Sequence, residues 1–465
     1  MRGENPAIRT DFFLESRAMS SIQSDSRPAR SLAAAVATAV ALLWAATTFG
    51  QTCLCGSAAD DLVAARVGLD REWVVQVPFD SAAWRLEHVV VGDRLVVAQG
   101  GDGTVAAVRT DTRPGGARRG SVAWSQRVGG TGPIEAAGVG AKTVVVARGS
   151  GVTAFDAATG GVAWKRPLAG IASAGGMSAG GWVYTPLDGG GVSRLPESAW
   201  ATVRSDGDSD SSSSGTNDVS GIDSKGDVDV RPLAFDNGIL WCSSNGLIVA
   251  LVGEGEQSRR LEFVLGSPAS GSPVIRDGDV FVATRAGDLA RIAHVPAGLT
   301  ANGGVYKDSR GRDVSFFGWH AVLEGVPEGS PVVGGGTVVI SLGPWGIAGF
   351  DAATGQRRWQ LAQGGLPLAI TDNRVWCLDD TGFLVARDLA SGGMRERLCL
   401  GCFSLPVVNT ASERLVLASP GGLVVSLAPR RVSSATPPAP VALPEAAEPE
   451  PAAAEPEPAA ADDNA

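Results

Sequence analysis

Cys399 and Cys402 stand in Cys-Leu-Gly-Cys, the spacing of redox dithiols and of half a zinc site. A redox pair needs to open a helix, whose N-terminus lowers the thiol pKa, and this pair ends a strand-rich stretch. Haem attachment needs His next, where Phe403 stands, and zinc needs a second pair, for which the nearest cysteine, Cys377, supplies one ligand. What remains is a structural role, buried or locally paired. Cys242 and Cys377 each follow a Trp at matching positions, Leu-Trp-Cys and Val-Trp-Cys, which reads as core packing. Asp206, Asp208 and Asp210 alternate as calcium ligands do, but Ser211 and Asn217 occupy the places where an EF-type loop puts Gly and a bidentate Glu. His88, His294 and His320 are far apart, and no His-Asp-Ser set accompanies them. The runs Gly189-Gly190-Gly191 and Gly334-Gly335-Gly336 lack the Lys-Ser/Thr and following helix of a phosphate loop. These groups nominate neither a catalytic nor a metal site.

The elements that would position any site are short strands. Gly is 62 of 465 residues, about twice the usual share, without a collagen triplet. That excess implies many tight turns between many strands. The net charge of −10 is unevenly spread. From Arg204 to Val230 the chain carries −5, and from Val432 to Ala465 it carries −7, which leaves the rest near +2. No basic stripe is present, which argues against nucleic acid as a partner.

The ends are distinct from the body. Ser31–Gly50 is an apolar, Ala-rich stretch behind Arg27 and Arg30, the pattern of a secretory signal with cleavage after Gly50. Met1 and Met19 are both candidate starts. An uncleaved membrane anchor and lipidation of Cys53 are the alternatives, although Gly50-Gln51-Thr52 makes a poor lipobox. Residues 51–68 read as a linker. Residues 432–465 are Pro/Ala/Glu-rich and read as a disordered acidic tail, and 204–230 as a disordered acidic insertion. The body is 69–431.

Within that body one pattern recurs: an apolar run, a short turn, a Gly, then an alternating run. The turn glycines are 103, 151, 191, 246, 287, 346, 382 and 422, at intervals of 36 to 59 residues. The two longest intervals contain the acidic insertion and the stretch 299–320. Glycine admits the positive φ that tight hairpins need, and Val/Ile/Leu alternation gives half-buried strands. One such hairpin cannot bury its own face, but four-stranded sheets standing side by side in a ring can. Pro133-Ile134, Pro273-Val274, Pro331-Val332 and Pro406-Val407 begin the innermost strands, where Pro forfeits no ladder bond. The expected fold is all-β, an eight-bladed β-propeller of four-stranded antiparallel sheets, with seven blades as the alternative. The eighth repeat lacks a fourth strand, and Arg71–Val77 is an orphan. That N-terminal strand is expected to complete the last blade beside Val424.

Ala154-Phe155-Asp156-Ala157-Ala158-Thr159-Gly160 followed by Trp164 resembles the A-x-D-x-x-T-G-x-x-x-W docking repeat of PQQ-type propellers. A second copy has Asp351, Thr354, Gly355 and Trp359; a third has Asp388 and Gly392 with Glu396 in place of Trp. The motif is structural: Asp accepts turn amides, Gly takes positive φ, and Trp packs against a neighbouring blade. The resemblance covers roughly residues 69–430 and implies two functional readings. One, closest in character, is similar to the propeller lipoprotein of the outer-membrane β-barrel assembly machinery. It implies a non-catalytic exported scaffold, periplasmic or outer-membrane associated, with other envelope proteins as partners, monomeric within a complex. The other is a PQQ-dependent alcohol or sugar oxidoreductase with calcium. The vicinal Cys-Cys pair of those enzymes is absent, and no ligand cluster matches theirs. A membrane-anchored sensor ectodomain is a third possibility.

Overall fold

The computed structural model describes residues 60–111, 118–197, 220–235, 238–253, 258–292, 305–307, 313–315 and 317–430. The signal or anchor segment, Cys53, His294 and the acidic tail lie outside them. Among the described residues no helix is long and apolar enough to cross a membrane.

Eight antiparallel sheets form a ring, an eight-bladed β-propeller in which each blade runs from an innermost strand A to an outermost strand D. Blade 1 is Leu86–Val91, Leu95–Gly100, Thr104–Arg109 and Val122–Arg127. Blade 2 is Gly138–Val139, Thr143–Arg148, Gly151–Asp156 and Val162–Pro167. Blade 3 is Met177–Ala179, Trp182–Leu187, Gly191–Pro196 and Ser220–Asp223. Blade 4 is Leu233–Phe235, Gly238–Cys242, Leu247–Val252 and Arg259–Val264. Blade 5 is Val274–Arg276, Asp279–Thr284, Asp288–Ile292 and Phe317–Val322. Blade 6 is Glu328–Gly334, Thr337–Ser341, Ile347–Asp351 and Arg357–Leu361. Blade 7 is Leu366–Thr371, Arg374–Leu378, Phe383–Asp388 and Met394–Cys399. Blade 8 takes strands B and C from Leu415–Ala418 and Leu423–Pro429, its innermost position being a single bridge from Leu405 to Ala418.

Strand D of blade 8 is Leu69–Gln76, antiparallel to Leu423–Pro429, with Val75 opposite Val424 and Trp73 opposite Ser426. The closure expected of the N-terminal strand is therefore present, and the blade count is eight rather than seven. A single helical turn, Asp61–Arg66, precedes it, capped by the Asp60 carboxylate accepting the Leu62 amide.

The core is divided among the gaps between blades. Eight apolar clusters each draw on two adjacent blades, so every blade is covered on both faces. The cluster that closes the ring joins Trp73, Val416 and Val424 of blade 8 to Val96, Ala98 and Val108 of blade 1. This is why the strands contain long runs of fully buried Val, Ile and Leu instead of strict alternation.

The up-and-down order makes the two faces unlike. One carries the A–B and C–D turns, and with them both ends of the described body and the strand ends between which the two long insertions run. The other carries only short B–C turns and the blade-to-blade connections. Two expectations need correction here. The acidic segment 204–230 is not an insertion throughout: Ser220–Asp223 is strand D of blade 3, and Val228 is wholly buried. Ile222 and Val228 find apolar neighbours in the gap between blades 3 and 4, which outweighs the polar composition around them. Likewise 299–320 is not all insertion, because its end is strand D of blade 5; a small hairpin, Val305–Lys307 with Asp313–Ser315, lies within it. The expected positive φ is found at Gly103, Gly246, Gly287, Gly346, Gly382 and Gly422. In blades 2 and 3 it moves to Gly149 and to Gly189 and Gly190, because Gly151 and Gly191 already begin strand C.

Candidate functional site

The motif residues sit at the C–D turns, spread round the ring. Asp156 accepts the amides of Ala158 and Thr159 at 3.1 and 2.8 Å and the Thr159 hydroxyl at 2.7 Å. Asp351 and Asp388 repeat this and also take Arg358 at 2.6 Å and Arg395 at 2.7 Å. Arg358 and Arg395, each aided by the local Thr354 or Ser391 bonds, hold the two carboxyls at about 2, well below the ordinary 3.8. Because the folded values are depressed, the stabilisation is complete above the unfolded pKa and fades as pH falls from about 4 to about 2. The gap in melting temperature between the wild type and a D351N/D388N variant is expected to close across that window. An unchanged gap at pH 2 overturns this reading.

Each Trp serves the turn of the next blade, not its own. The Trp124 indole of blade 1 donates to the Ala157 carbonyl of blade 2 at 3.0 Å and lies against Gly160; a Cβ there would meet its ring at 2.4 Å. Trp319 of blade 5 does the same at Ala352 and Gly355, and Trp359 of blade 6 at Leu389 and Gly392. Trp164, aligned opposite Ala154, packs with Val183, Leu187 and Leu195 of blade 3 and has no bonded partner for its N–H among the described residues. Glu396 occupies the same register position in blade 7, opposite Ala386. It has no C–D turn to dock on, since strands C and D of blade 8 are Leu423–Pro429 and Leu69–Gln76, which no turn joins.

Cys242 and Cys377 lie in strands B of blades 4 and 7, and burial pushes both thiols up to about 12. Cys399 is buried and disulfide-bonded. Cys402 is exposed and free, so the Cys-x-x-Cys is not locally paired. A small maleimide is expected to modify Cys402 in the folded protein and to reach Cys242 and Cys377 only after unfolding, read by intact mass. Early modification of Cys242 would contradict the buried assignment. His88 contacts the Ile134 carbonyl at 3.0 Å, and His320 pairs with Asp288 at 3.0 Å in a different blade. Among the described residues no group of three His, Cys, Asp or Glu is placed to hold a metal.

What the topology does assemble is the axial channel. Gln99 of blade 1 bridges to blade 2, donating to the Glu135 carbonyl and accepting the Ala137 amide. On the short-turn face Glu135 is raised above the ordinary carboxylate range chiefly by burial, with Asp188 and Glu87 adding repulsion and His88 opposing it. The same face carries exposed apolar side chains on its connections, on one B–C turn and at the end of strand D of blade 5. They are Trp84, Ile171, Val322, Val326 and Trp345, the last 61% exposed. On the opposite face the mouth opens into a pocket of about 460 Å³ lined by Asp93, Arg94, Arg109, Asp111 and Arg231, with no aromatic ring among its described lining residues. Arg231 crosses from blade 4 beneath Gly175 of blade 3 to donate to the Ala137 carbonyl of blade 2. Neither charged mouth was legible in the motifs. Their charged groups come from blades 1 to 4 and meet only through packing of the blades.

This architecture agrees with the comparisons. No curated protein matches the chain in sequence. The crystal structure of BamB from Moraxella catarrhalis is similar, with a TM-score of 0.54 at 19% identity over 77% of this chain and 97% of that one. That likeness is one of fold. The crystal structure of the computationally designed Ika8 protein gives a TM-score of 0.49 at 13% identity, over 74% of this chain and 96% of that one. The family described as outer membrane protein assembly factor BamB matches residues 41–295, more than half of the sequence. With the repeat, the ring and the closing strand in place, the chain belongs to that family.

Proposed function

We propose that this protein is a non-catalytic, exported scaffold that binds other proteins of the cell envelope through its short-turn face, in outer-membrane protein assembly or envelope organisation. The observation that carries the reading is the set of exposed Trp84, Ile171, Val322, Val326 and Trp345 on the face that also carries the acidic group of Glu135, Asp188 and Glu87, in a chain of this family. Exposed aromatic side chains on rigid turns supply binding area at small entropic expense, and such patches mark interaction sites. The acidic centre adds a preference for a partner that sets basic groups among apolar ones, with association weakened by salt.

The test is affinity capture from the envelope fraction, comparing the wild type with a W84A/W345S variant. The surface changes leave the eight inter-blade clusters intact, so the melting temperature is expected to stay within a few degrees. Loss of a specifically captured envelope protein with the variant supports the scaffold reading. Equal capture by both proteins removes this face as the contact.

A further inference from the structure

The pocket at the long-turn mouth carries an excess of cations. Many arginines of the ring are ion-paired, as Arg291 is to Asp279, Arg358 to Asp351 and Arg414 to Glu72. Arg94, Arg109 and Arg231 line one cavity, and none of them has a carboxylate ion-pair partner among the described residues. Asp93 and Asp111 face the same cavity, so three guanidinium groups meet two carboxylates. Arg231 is the deepest of the three. Only a carbonyl takes one of its terminal nitrogens, and its Nε is buried without a bonded partner. Crowding by protein lowers its guanidinium to about 10, the direction that signals missing negative charge. An uncompensated buried cation is costly, and a carboxylate is the group that satisfies its planar fork.

The lining residues also tell on which side the pocket opens. Gly92–Arg94 and Gly140–Ala141 are A–B turns, Ala157 and Ala158 belong to a C–D turn, and Thr410 and Ala411 precede strand B of blade 8. Strand C of blade 8 ends at Pro429 on this same face, where the Arg430 amide donates to the Gly68 carbonyl. From Val432 onward the sequence has five Glu, two Asp and no basic residue. Strand C stands roughly 15–20 Å from the axis at about 4.8 Å per strand. A chain of 34 residues spans up to about 110 Å when extended. Tethering keeps its local concentration near the millimolar range.

We propose that this axial pocket is a carboxylate site, and that its occupant is the acidic tail of the same chain, residues 432–465, with one carboxylate on Arg231 and others on Arg94 and Arg109. The probe is a fluorescent peptide of residues 441–465, followed by anisotropy against the full chain and against a chain ending at Ser434. The peptide is expected to bind the shortened chain, at least tenfold more tightly than it binds the full chain, whose own tail competes. Binding is expected to fall at least tenfold with Arg231→Gln and with a peptide in which every Glu is replaced by Gln. A double change at the rim, R94Q/R109Q, keeps the proposal testable should Arg231→Gln unfold the ring, and is expected to weaken binding several-fold. Equal binding to shortened and full chains overturns the tail as occupant. Binding indifferent to all three arginines, or none to the shortened chain, overturns the site.

Discussion

A chain beginning at Pro78, without Leu69–Gln76, is expected to lose cooperative unfolding as a monomer and to elute as oligomers. The strand supplies the outer edge of blade 8 and contributes Leu69 and Trp73, both almost completely buried, to the clusters on its two sides. Glu72 of the same strand pairs with Arg414 of blade 8 and with Arg119 of blade 1 at 2.8 Å. Without it, Leu423–Pro429 becomes a bare edge with unpaired amides and carbonyls, a template for another chain. Trp73→Ala alone is expected to remove about 3–5 kcal/mol, a large fraction of an ordinary domain's stability. A peptide of residues 60–77 added in trans is expected to restore the monomer. Sizing chromatography and thermal unfolding decide the matter; a monomeric truncated chain with an unchanged melting temperature defeats the closure argument.

The second large effect concerns the lock between blades 1 and 2. Trp124→Ala is expected to cost about 3–5 kcal/mol through lost burial and a cavity. Gly160→Ala attacks the same contact from the other side, at φ +72° and with the new methyl 2.4 Å from the indole. It should be strongly destabilising, because both the backbone conformation and the space exclude a side chain. Combined, the two changes are expected to cost less than their sum, since removing the indole frees the space that the methyl needs. A double-mutant cycle by denaturant unfolding measures this. Additivity within about 0.5 kcal/mol would mean that the two residues do not share one contact. Trp164→Ala serves as the comparison, because its indole N–H has no partner among the described residues.

What could be read from the sequence was local. The hairpins, the Asp-x-x-Thr-Gly turns and the orphan strand announce themselves because their residues are neighbours along the chain. Trp124 was not legible as the partner of Gly160, because it is Trp164 that stands near Gly160 in the sequence and only blade stacking shows the offset. Ser220–Asp223 was hidden in an Asp- and Gly-rich stretch, and Ile222 is the one strong strand former among its four residues. The channel mouths were the least visible. Arg94 and Arg231 are separated by more than a quarter of the chain, and nothing near either marks it as axial. Exposure of Trp84 and Trp345 was equally unreadable, since Trp in strand-rich sequence usually signals core.

The bond between Arg430 and Gly68 puts the two ends of the described body at one turn position, in the place where every other blade connects its third strand to its fourth. A few residues joining them would make an ordinary turn, and the ring could then be cut at another C–D loop with its strand pairing preserved. Which blade is split is thus a matter of where the ring is opened along the chain, not of how its strands pair. A circularly permuted gene opened between Asp388 and Met394 would fold to the same wheel, with blade 7 as its seam and blade 8 unbroken.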